Sequence, residues 1–322
     1  MKVLVTGAAG FIGSHVAEQL VSRGDEVVIV DSFDPFYDPA VKRRNITSLL
    51  ASGKAELVEA DIRDREQLDQ MLGDQRIDGI IHLAARAGVR PSLERPGAYV
   101  RTNVEGTQSL LDIARQRGIR PFVFGSSSSV YGDSTPVPFK ESASADQPIS
   151  PYAATKRAAE LLCRTHAYLY GSSMVCLRLF TVYGPRQRPD LAIHKFARLM
   201  LRNEEIPLFG DGSTERDYTF VADAVDGIVR GLDWCLRAAP GSFEVVNIGE
   251  HATTSLASLV EMIATELRVI PRIRSLPAQP GDVQRTYADI SHARELLGYD
   301  PQTTMEEGIH RFWQWLREQP AS

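Results

Sequence analysis

A chain of 322 residues is long enough for a nucleotide-binding core with an appended lobe for substrate. Its 36 basic and 41 acidic residues give a formal net charge of −5, which argues against a nucleic-acid groove or a face for anionic membranes, and we expect neither partner. With 43% hydrophobic and 24% charged residues the composition is typical of a globular protein, and no stretch reaches the roughly 20 apolar residues of a membrane span.

Strand-like sequence begins directly at residues 2–6, which leaves no room for a signal peptide, so the sequence predicts a cytoplasmic protein. The three cysteines, Cys163, Cys176 and Cys235, are isolated from one another and from any histidine-rich ligand pattern. We therefore expect reduced thiols and no metal site.

Apolar runs typical of strands alternate with helical patterns over the first 180 residues. Apolar residues at helical spacing begin near Phe11, Gln67, Tyr99 and Tyr152. This alternation predicts an α/β fold, a Rossmann-type doubly wound parallel sheet covered by helices on both faces. The predicted strands are VLVTG (3–7), EVVIVD (26–31), AELVEAD (55–61), IDGIIHLAA (77–85), PFVFGSS (121–127) and MVCLRLF (174–180).

Beyond Phe180, glycine and proline residues separate shorter elements. A further helix over 221–236 and a further strand over 243–249 are expected to return to the first sheet. The chain is thus predicted to have two domains. The nucleotide-binding domain comprises residues 1–180 plus about 217–249, and a smaller, interleaved C-terminal substrate domain comprises 181–216 and 250–322.

The first strand ends in TGAAGFIGSH, which places Gly7, Gly10 and Gly13 at a strand-to-helix turn. An apolar strand before the turn and an amphipathic helix after it are the context that a pyrophosphate at a helix N-terminus requires. Glycine permits the tight turn and the close approach of backbone to phosphate. We therefore predict a dinucleotide site that includes Phe11 and Ile12, and a glycine-rich turn without a ligand is the alternative.

Three charged residues after the next strands extend this site. Asp31 ends the second strand, where a carboxylate can accept hydrogen bonds from the adenosine ribose and would repel a 2′-phosphate, so NAD is preferred over NADP. Asp61 is predicted to meet the adenine amino group, although a helix N-cap before residues 63–68 explains it almost as well. Lys42 is a candidate phosphate contact, with a solvated charge run as the alternative.

Tyr152 and Lys156 lie four residues apart in SPYAATK, a spacing that puts both side chains on one face of a helix. A phenol with a pKa of about 10 is a weak base at neutral pH. A neighbouring ammonium and a positive nicotinamide ring would lower that pKa by stabilising the phenolate. Ser127 ends the fifth strand, where ligands of doubly wound sheets bind, and its hydroxyl is suited to relay a proton to Tyr152. The predicted catalytic set is Ser127, Tyr152 and Lys156.

Over essentially its whole length, the sequence resembles the extended short-chain dehydrogenase/reductases, and among them the nucleotide-sugar 4-epimerases. By this resemblance the predicted catalytic residues keep their roles, Ser126 and Asn103 take supporting positions, and Arg216 contacts the substrate diphosphate. The matching motifs are TGAAGFIG (6–13), HLAA (82–85), TNVEGT (102–107), SSSSVYG (126–132), SPYAATK (150–156), LRLFTVYGP (177–185) and RDYTFVAD (216–223). The full set predicted to bind NAD is Gly7, Gly10, Phe11, Ile12, Gly13, Asp31, Ser32, Lys42, Asp61, Ile62, Leu83, Ala84, Ala85, Asn103, Ser126, Tyr152 and Lys156.

The family resembled here includes 4-epimerases, 4,6-dehydratases and uronate decarboxylases. The dehydratases and decarboxylases resemble each other in carrying a carboxylate just before the VYG tripeptide, where this chain has Ser129. Without an acid to protonate a leaving hydroxyl or a carbanion, both of these branches lack an expected catalyst. The sequence therefore favours C4 epimerisation of a UDP-sugar through a transient 4-keto intermediate, with NAD bound as a retained catalyst.

The segment after the LRLF strand bears on the sugar. Thr181 stands where glucose/galactose-type epimerases have asparagine, and with Arg186 and Arg188, DPFYDPAVKR (34–43) and AGVR (87–90) it resembles the UDP-glucuronate 4-epimerases. Hydroxyls and a guanidinium are suited to a uronate carboxylate, although either arginine could instead face the diphosphate. The predicted substrate contacts are Ser127, Ser128, Ser129, Tyr152, Thr181, Arg188 and Arg216.

A homodimer is expected from the helix predicted over 99–117, which carries more apolar residues than one sheet face obviously needs: Val100, Val104, Leu110, Leu111 and Ile113. In the family that the chain resembles, such helices pair across a dimer. Three alternatives to a UDP-glucuronate 4-epimerase remain open: a UDP-glucose 4-epimerase, a dehydratase or decarboxylase, and a non-catalytic NAD-binding regulator. The presence of Tyr152 and Lys156 argues against the regulator.

Overall fold

The computed structural model describes residues 1–277 and 283–319. The strands, in chain order, are β1 (Lys2–Thr6), β2 (Glu26–Asp31), β3 (Ala55–Glu59), β4 (Gly79–His82), β5 (Pro121–Ser127), β6 (Ser173–Leu179), β7 (Thr181–Tyr183), β8 (Glu205–Phe209), β9 (Glu215–Arg216), β10 (Tyr218–Phe220), β11 (Phe243–Ile248), β12 (Thr254–Ser255) and β13 (Arg272–Leu276). The α-helices are α1 (Phe11–Arg23), α2 (Pro39–Asn45), α3 (Thr47–Ala51), α4 (Arg65–Leu72), α5 (Val89–Glu94), α6 (Pro96–Val100), α7 (Gly106–Arg117), α8 (Pro151–Tyr170), α9 (Ala192–Leu201), α10 (Val221–Arg237), α11 (Leu256–Leu267), α12 (Ser291–Leu297) and α13 (Met305–Arg317).

The main sheet of the described residues has seven strands in the order β11-β6-β5-β4-β1-β2-β3, and every neighbouring pair is parallel. The chain starts in the middle with β1, builds outward to β3, and then crosses over to β4 on the other side of β1. The predicted doubly wound parallel sheet is therefore confirmed. The loops that follow β1 and β4 diverge from adjacent strands and leave a crevice at the carboxyl edge of the sheet.

Apolar residues cover both faces of the sheet, as a parallel sheet with helices on each side requires. Along β1, Val3 and Val5 belong to one buried cluster and Leu4 to the other. Helices α1 and α10 pack on the first face, and α7 and α8 pack on the second. The face of α8 that points away from solvent is thus held against β5 and β6, which fixes its position relative to the crevice.

Two strands are shorter than predicted, β3 at its end and β4 at both ends. β4 is shorter than the predicted 77–85 because its partner β1 ends at Thr6, opposite His82. β3 ends at Glu59 rather than Asp61 because β2 ends directly opposite Glu59. The other predicted strands agree with the structure to within one residue at each end.

The segment predicted as one helix over 99–117 is interrupted. It consists of α6, a wider π-helical turn at Arg101–Glu105, and α7. Three of the residues expected to be surplus, Leu110, Leu111 and Ile113, are fully buried against the sheet, while Val100 is 45% exposed. Most of the apolar residues on which the expectation of a dimer relied are therefore covered by the sheet and are not available to a partner chain.

The C-terminal elements return to the sheet as expected. Helix α10 crosses one face, and β11 pairs with β6 in register from Phe243 opposite Met174 to Ile248 opposite Leu179. Shorter pairs, β7 with β10, β8 with β13 and β9 with β12, lie outside the main sheet. The division of the chain into two domains at the bounds given above stays a prediction.

The three cysteines are buried as free thiols. None of the helices in the described residues combines the length and the apolar character that crossing a bilayer would require.

Candidate active site

A cleft of about 530 Å³ opens along the carboxyl ends of β1, β2, β4, β5 and β6. Every residue predicted for the NAD or substrate site lines it except Asn103 and Arg216. The predicted residues that line the cleft are Gly7, Gly10, Phe11, Ile12, Gly13, Asp31, Ser32, Lys42, Asp61, Ile62, Leu83, Ala84, Ala85, Ser126, Ser127, Ser128, Ser129, Tyr152, Lys156, Thr181 and Arg188.

The glycine turn fits a dinucleotide pyrophosphate. A β-carbon on Gly7, where φ is +69°, would lie 2.8 Å from the backbone nitrogen of Ala84, and one on Gly13 would lie 2.2 Å from the carbonyl oxygen of Gly7. Helix α1 begins at Phe11, and its N-cap Gly10 has no side chain to satisfy the first backbone N–H groups. Those donors face a ligand-sized cleft, which is the arrangement that binds phosphate at a helix N-terminus.

Asp31 is held beside this turn. Its carboxylate accepts hydrogen bonds from the backbone nitrogens of Ala9 at 3.1 Å and Phe33 at 2.8 Å. Burial raises the pKa of Asp31, and these hydrogen bonds partly oppose that rise. Asp31 is therefore a buried carboxylate and not a solvated loop residue, since only 8% of it is exposed. Each carboxylate oxygen keeps a lone pair with which to accept a ribose hydroxyl.

Asp61 and Lys42 both form specific contacts within the protein. Asp61 forms an ion pair with Arg63 at 2.6 Å, which holds its pKa below the usual value, and the helix that follows is capped by Asp64 instead. The Lys42 ammonium is buried, with its pKa lowered by burial, and donates to the carbonyl oxygen of Asp34 at 2.8 Å. Asp61 is therefore not the N-cap of the following helix, and Lys42 is not part of a solvated charge run.

The N-cap of α8 fixes where the helix begins and so where Lys156 meets β5. The N-cap Ser150 accepts a hydrogen bond from the backbone nitrogen of Ala153 at 3.2 Å, and the helix then brings Lys156 under the sheet edge. The ammonium donates to the carbonyl oxygen of Gly125 at 2.6 Å and lies 4.8 Å from the centre of the Phe124 ring. Burial lowers the pKa of Lys156 to about 8.

Tyr152 lies one helical turn before Lys156 and lines the same cleft. Burial raises the pKa of its phenol, while a hydrogen bond with Ser127 and the positive charge of Arg188 lower it. The Ser127 hydroxyl also donates to the Ser129 hydroxyl and accepts from the Ser129 backbone nitrogen, both at 3.2 Å. The three residues predicted to be catalytic are therefore brought together, and their roles stay a prediction.

Ser126, Asn103 and Arg216 are engaged with the protein itself. Ser126 donates to the buried Glu160 carboxylate at 2.6 Å, although the residue lines the cleft. The side-chain amide of Asn103 bonds both backbone groups of Arg86 and the Thr155 hydroxyl. Arg216, on β9, donates to the carbonyl oxygen of its neighbour Glu215. Direct contacts of Asn103 with NAD and of Arg216 with a diphosphate stay predictions.

The structure separates Arg186 from Arg188, of which only Arg188 was predicted to contact the substrate. Arg188 lines the cleft, forms two hydrogen bonds with Asp190 at 3.0 and 2.8 Å, and lies 5.0 Å from the ring of Phe36. Arg186 instead turns toward α1, where it pairs with Glu18 at 2.6 Å and approaches the Ser14 hydroxyl. Arg188 is thus the one of the two that can meet a ligand in the cleft.

Sequence reasoning missed part of the rim. Asp34, Phe36, Tyr37, Arg86 and Thr102 all line the cleft. An ion pair of 2.6 Å between the Arg86 guanidinium and the Asp34 carboxylate joins the loops after β2 and β4. The available signal was the position of both loops directly after parallel strands, where ligands bind.

The parallel sheet, the glycine turn at an uncapped helix and the Ser127, Tyr152 and Lys156 group together define an NAD-dependent enzyme of the short-chain dehydrogenase/reductase type. The chain belongs to the NAD dependent epimerase/dehydratase family, whose model matches residues 3–249.

Known relatives agree with this assignment. UDP-glucuronate 4-epimerase 4 of Arabidopsis thaliana is 40% identical over 98% of this chain and 75% of its own length. The crystal structure of UDP-glucuronic acid 4-epimerase from Bacillus cereus, in complex with UDP-glucuronic acid and NAD, matches 99% of both chains with a TM-score of 0.91 and 35% identity. UDP-glucose 4-epimerase of Thermotoga maritima, with UDP-glucose, matches 99% of both chains with a TM-score of 0.89 and 32% identity.

Three expectations from the sequence are confirmed by these findings: the family resemblance, NAD as the cofactor, and an NAD-dependent nucleotide-sugar 4-epimerase as the class of enzyme. The relatives act on different sugars, so the particular substrate is a separate question.

Proposed function

We propose that this protein interconverts UDP-glucuronate and UDP-galacturonate by inverting the configuration at C4 of the sugar. The observation that carries the proposal is the presence of Arg188 and Thr181 in the cleft that contains Tyr152. The Arg188 side chain is only 15% exposed, so its charge acts in a medium that screens it weakly. A uronate carboxylate is the sugar substituent that a largely buried guanidinium would recognise.

The distribution of acids in the cleft argues against the dehydratase and decarboxylase alternatives. Among the described residues, the carboxylates that line it are Asp31 at the end of β2, Asp34 in the loop after β2 and Asp61 after β3, all on the nucleotide side. Ser129 lies where a dehydratase would need an acid, near Tyr152. Elimination or protonation of a carbanion would therefore lack a proton donor at the sugar.

The residues of the cleft supply the proton transfers that epimerisation needs. Bound NAD supplies the acceptor and donor of the C4 hydride. Tyr152 takes the proton of the C4 hydroxyl, directly or through Ser127, and returns it after the ketone has turned its other face to the cofactor. The Lys156 ammonium stabilises the phenolate of Tyr152. No further acid or base is needed, because the second half of the reaction reverses the first.

Arg188 and Thr181 would also protect the intermediate. Oxidation at C4 of a uronate creates a β-keto acid, which loses carbon dioxide when the bond to the carboxyl group aligns with the carbonyl π system. Contacts of the Thr181 hydroxyl and the Arg188 guanidinium with the carboxylate would hold it out of this alignment and would slow the loss of carbon dioxide. This gives the pocket a kinetic role in addition to binding.

Incubation of the protein with UDP-glucuronate and, separately, with UDP-glucose tests the proposal. NMR of the products should show UDP-galacturonate forming from the first substrate faster than UDP-galactose from the second. A preference for UDP-glucose would assign the runner-up activity, which the similarity to the Thermotoga maritima enzyme supports. A 4-keto-6-deoxy or pentose product would assign a dehydratase or decarboxylase.

We also propose that the protein is a homodimer, on different residues from those first considered. The solvent face of α8 exposes Leu161 (49%), Tyr168 (85%) and Leu169 (58%). Leu161 and Tyr168 are seven residues apart and share one stripe of the helix, which is the pattern of helix pairing.

The cytoplasmic location expected from the sequence stays a prediction.

A further inference from the structure

A buried ion pair lies on the face of α8 that carries Tyr152 and Lys156, one helical turn beyond Lys156. Glu160 on α8 and Arg178 on β6 have side chains that are 1% and 2% exposed. The Arg178 Nε and Nη2 atoms donate to the two carboxylate oxygens of Glu160, each at 2.9 Å. This two-point geometry fixes both the separation and the orientation of the two groups.

Glu160 continues the catalytic stripe of the helix. Tyr152, Lys156 and Glu160 are spaced four residues apart and therefore share one face of α8. Lys156 donates to the carbonyl oxygen of Gly125 at 2.6 Å, and Glu160 accepts from the hydroxyl of Ser126 at 2.6 Å. Two successive turns of α8 are thus bonded to two successive residues of β5, immediately before Ser127.

Arg178 extends this connection to the next strand and to the serine turn. It is the direct partner of Ser126 in the pairing of β5 with β6. Its guanidinium also lies 4.6 Å from the centre of the Tyr131 ring, in the turn Ser128–Tyr131 that follows Ser127. The ion pair therefore contacts α8, which carries Tyr152 and Lys156, the end of β5 before Ser127, and the turn that contains Ser128 and Ser129.

Stability alone does not account for this arrangement. The cost of removing two charges from water commonly equals or exceeds their attraction, and well-packed apolar residues at such sites are often as stable or more so. A buried pair is better explained where a fixed geometry is needed.

We propose that Glu160 and Arg178 are positioning residues for proton transfer: they hold α8 in register with β5 so that Tyr152 and Lys156 stay aligned with Ser127. The inference rests on the proposed function, because it assumes that Tyr152 transfers the proton.

The carboxylate has a second effect through space. Burial lowers the pKa of Lys156, and the thiols of Cys163 and Cys176 and the charge of Glu160 raise it. Glu160 is itself paired with two guanidinium groups, those of Arg178 and of Arg157 at 3.0 Å.

The test is the pH profile of kcat/KM for the NAD-containing enzyme and its variants. In Glu160→Gln, loss of the negative charge beside the positive Arg178 lowers the pKa of Lys156, so the decline of activity at high pH should begin at a lower pH than in the wild type. We expect kcat to fall more than KM rises. Glu160→Asp retains the charge and should restore the position of the limb, even though the shorter side chain packs less well.

Asp226→Asn is the matched control, because Asp226 forms an ion pair of 2.6 Å with Arg230 on α10 and both side chains are more than 40% exposed. It should leave the profile unchanged. If Glu160→Gln does not fold, the double variant Glu160→Gln/Arg178→Met removes both charges, so the limb should stay close to its wild-type position while kcat falls, because the two-point bond between α8 and β6 is lost.

A Glu160→Gln enzyme with a lower Tm but with a kcat and a pH profile that superimpose on the wild type would overturn the inference, as would a double variant with the wild-type kcat. Tyr152→Phe separates the two proposals. If Tyr152→Phe keeps full activity, the proposed function is wrong. If Tyr152→Phe is inactive but Glu160→Gln has the wild-type kcat and pH profile, only the positioning role is wrong.

Discussion

Lys156 depends on its surroundings for its chemistry. An exposed lysine would stay protonated well beyond pH 9, but this one is buried with a single carbonyl oxygen as hydrogen-bond acceptor, and its pKa falls to about 8. The positive charge that stabilises the Tyr152 phenolate is therefore present below about pH 8 and is lost above it.

In the enzyme with bound NAD, where the positive nicotinamide ring lowers the pKa of Tyr152, we predict that kcat/KM declines as the pH rises through about 8, with roughly tenfold less activity one unit above the pKa of Lys156. In Lys156→Arg the guanidinium keeps its charge, so the remaining activity should show no such decline up to pH 9.5. A pH–rate profile of both proteins checks this. A flat wild-type profile between pH 7 and 9.5 would contradict the assignment of Lys156.

A substitution of Arg188 tests the proposed contact with the uronate carboxylate. Replacing it with glutamine removes a charge-assisted hydrogen bond worth about 1.5–3 kcal/mol, so KM for UDP-glucuronate should rise roughly 10- to 100-fold. We also expect a UDP-pentose and carbon dioxide among the products, because the carboxylate of the keto intermediate is no longer fixed.

Arg186→Gln is the matched control for Arg188→Gln, since Arg186 pairs with Glu18 and does not line the cleft. It should leave KM and the products unchanged. Product analysis by NMR and measurement of KM distinguish the two variants. Equal effects of both would place the carboxylate elsewhere.

At the scale of elements, the turn between β1 and α1 is the most constrained part of the nucleotide site. The backbone of the turn approaches itself and the end of β4 so closely that a methyl group has no room at Gly7 or Gly13. The same close approach leaves the N-terminus of α1 open to a phosphate. Packing and cofactor binding therefore depend on the same glycines.

We predict that Gly13→Ala lowers stability by about 1–3 kcal/mol and reduces the NAD retained on purification, because the new β-carbon meets the Gly7 carbonyl oxygen. Gly97→Ala is the control. Its β-carbon would find only the flexible end of Arg101 at 3.7 Å, and α6 is helical there, so stability should be kept or slightly raised. Thermal unfolding and the NAD content per chain measure both effects, and equal NAD content in the two variants would contradict this account of the turn.

At the scale of the whole molecule, α8 connects the active site to the proposed dimer interface. Its inner face carries Tyr152, Lys156 and Glu160, and its outer face exposes Leu161 and Tyr168. A partner helix on the outer face would restrict the movement of the element that presents the catalytic groups.

We predict that Leu161→Glu/Tyr168→Lys converts a dimer into a monomer of 35.6 kDa, because charges on this stripe would oppose helix pairing. Ile270→Glu is the control, since Ile270 is 92% exposed but lies outside the stripe. Light scattering during gel filtration gives the mass of each variant. A wild-type protein that is already monomeric, or a double variant that stays dimeric, would exclude this interface.

The sequence by itself determined the order of strands and helices, the glycine turn and the pairing of Tyr152 with Lys156. Each of these is a local property: apolar periodicity, the absence of a side chain at a turn, and a four-residue spacing on one helix. The lengths of β3 and β4 were not predictable in this way, because a strand ends where its partner ends.

Only the tertiary structure decided which of the candidates meet. It placed Arg188 in the cleft and Arg186 against α1, buried Lys42, and directed Asn103 toward Arg86 and Thr155. It also joined Glu160 to Arg178 across two elements. The reason is that such contacts link residues far apart in the chain, and burial, which sets the pKa of Lys156, is a property of the packed molecule and of no single segment.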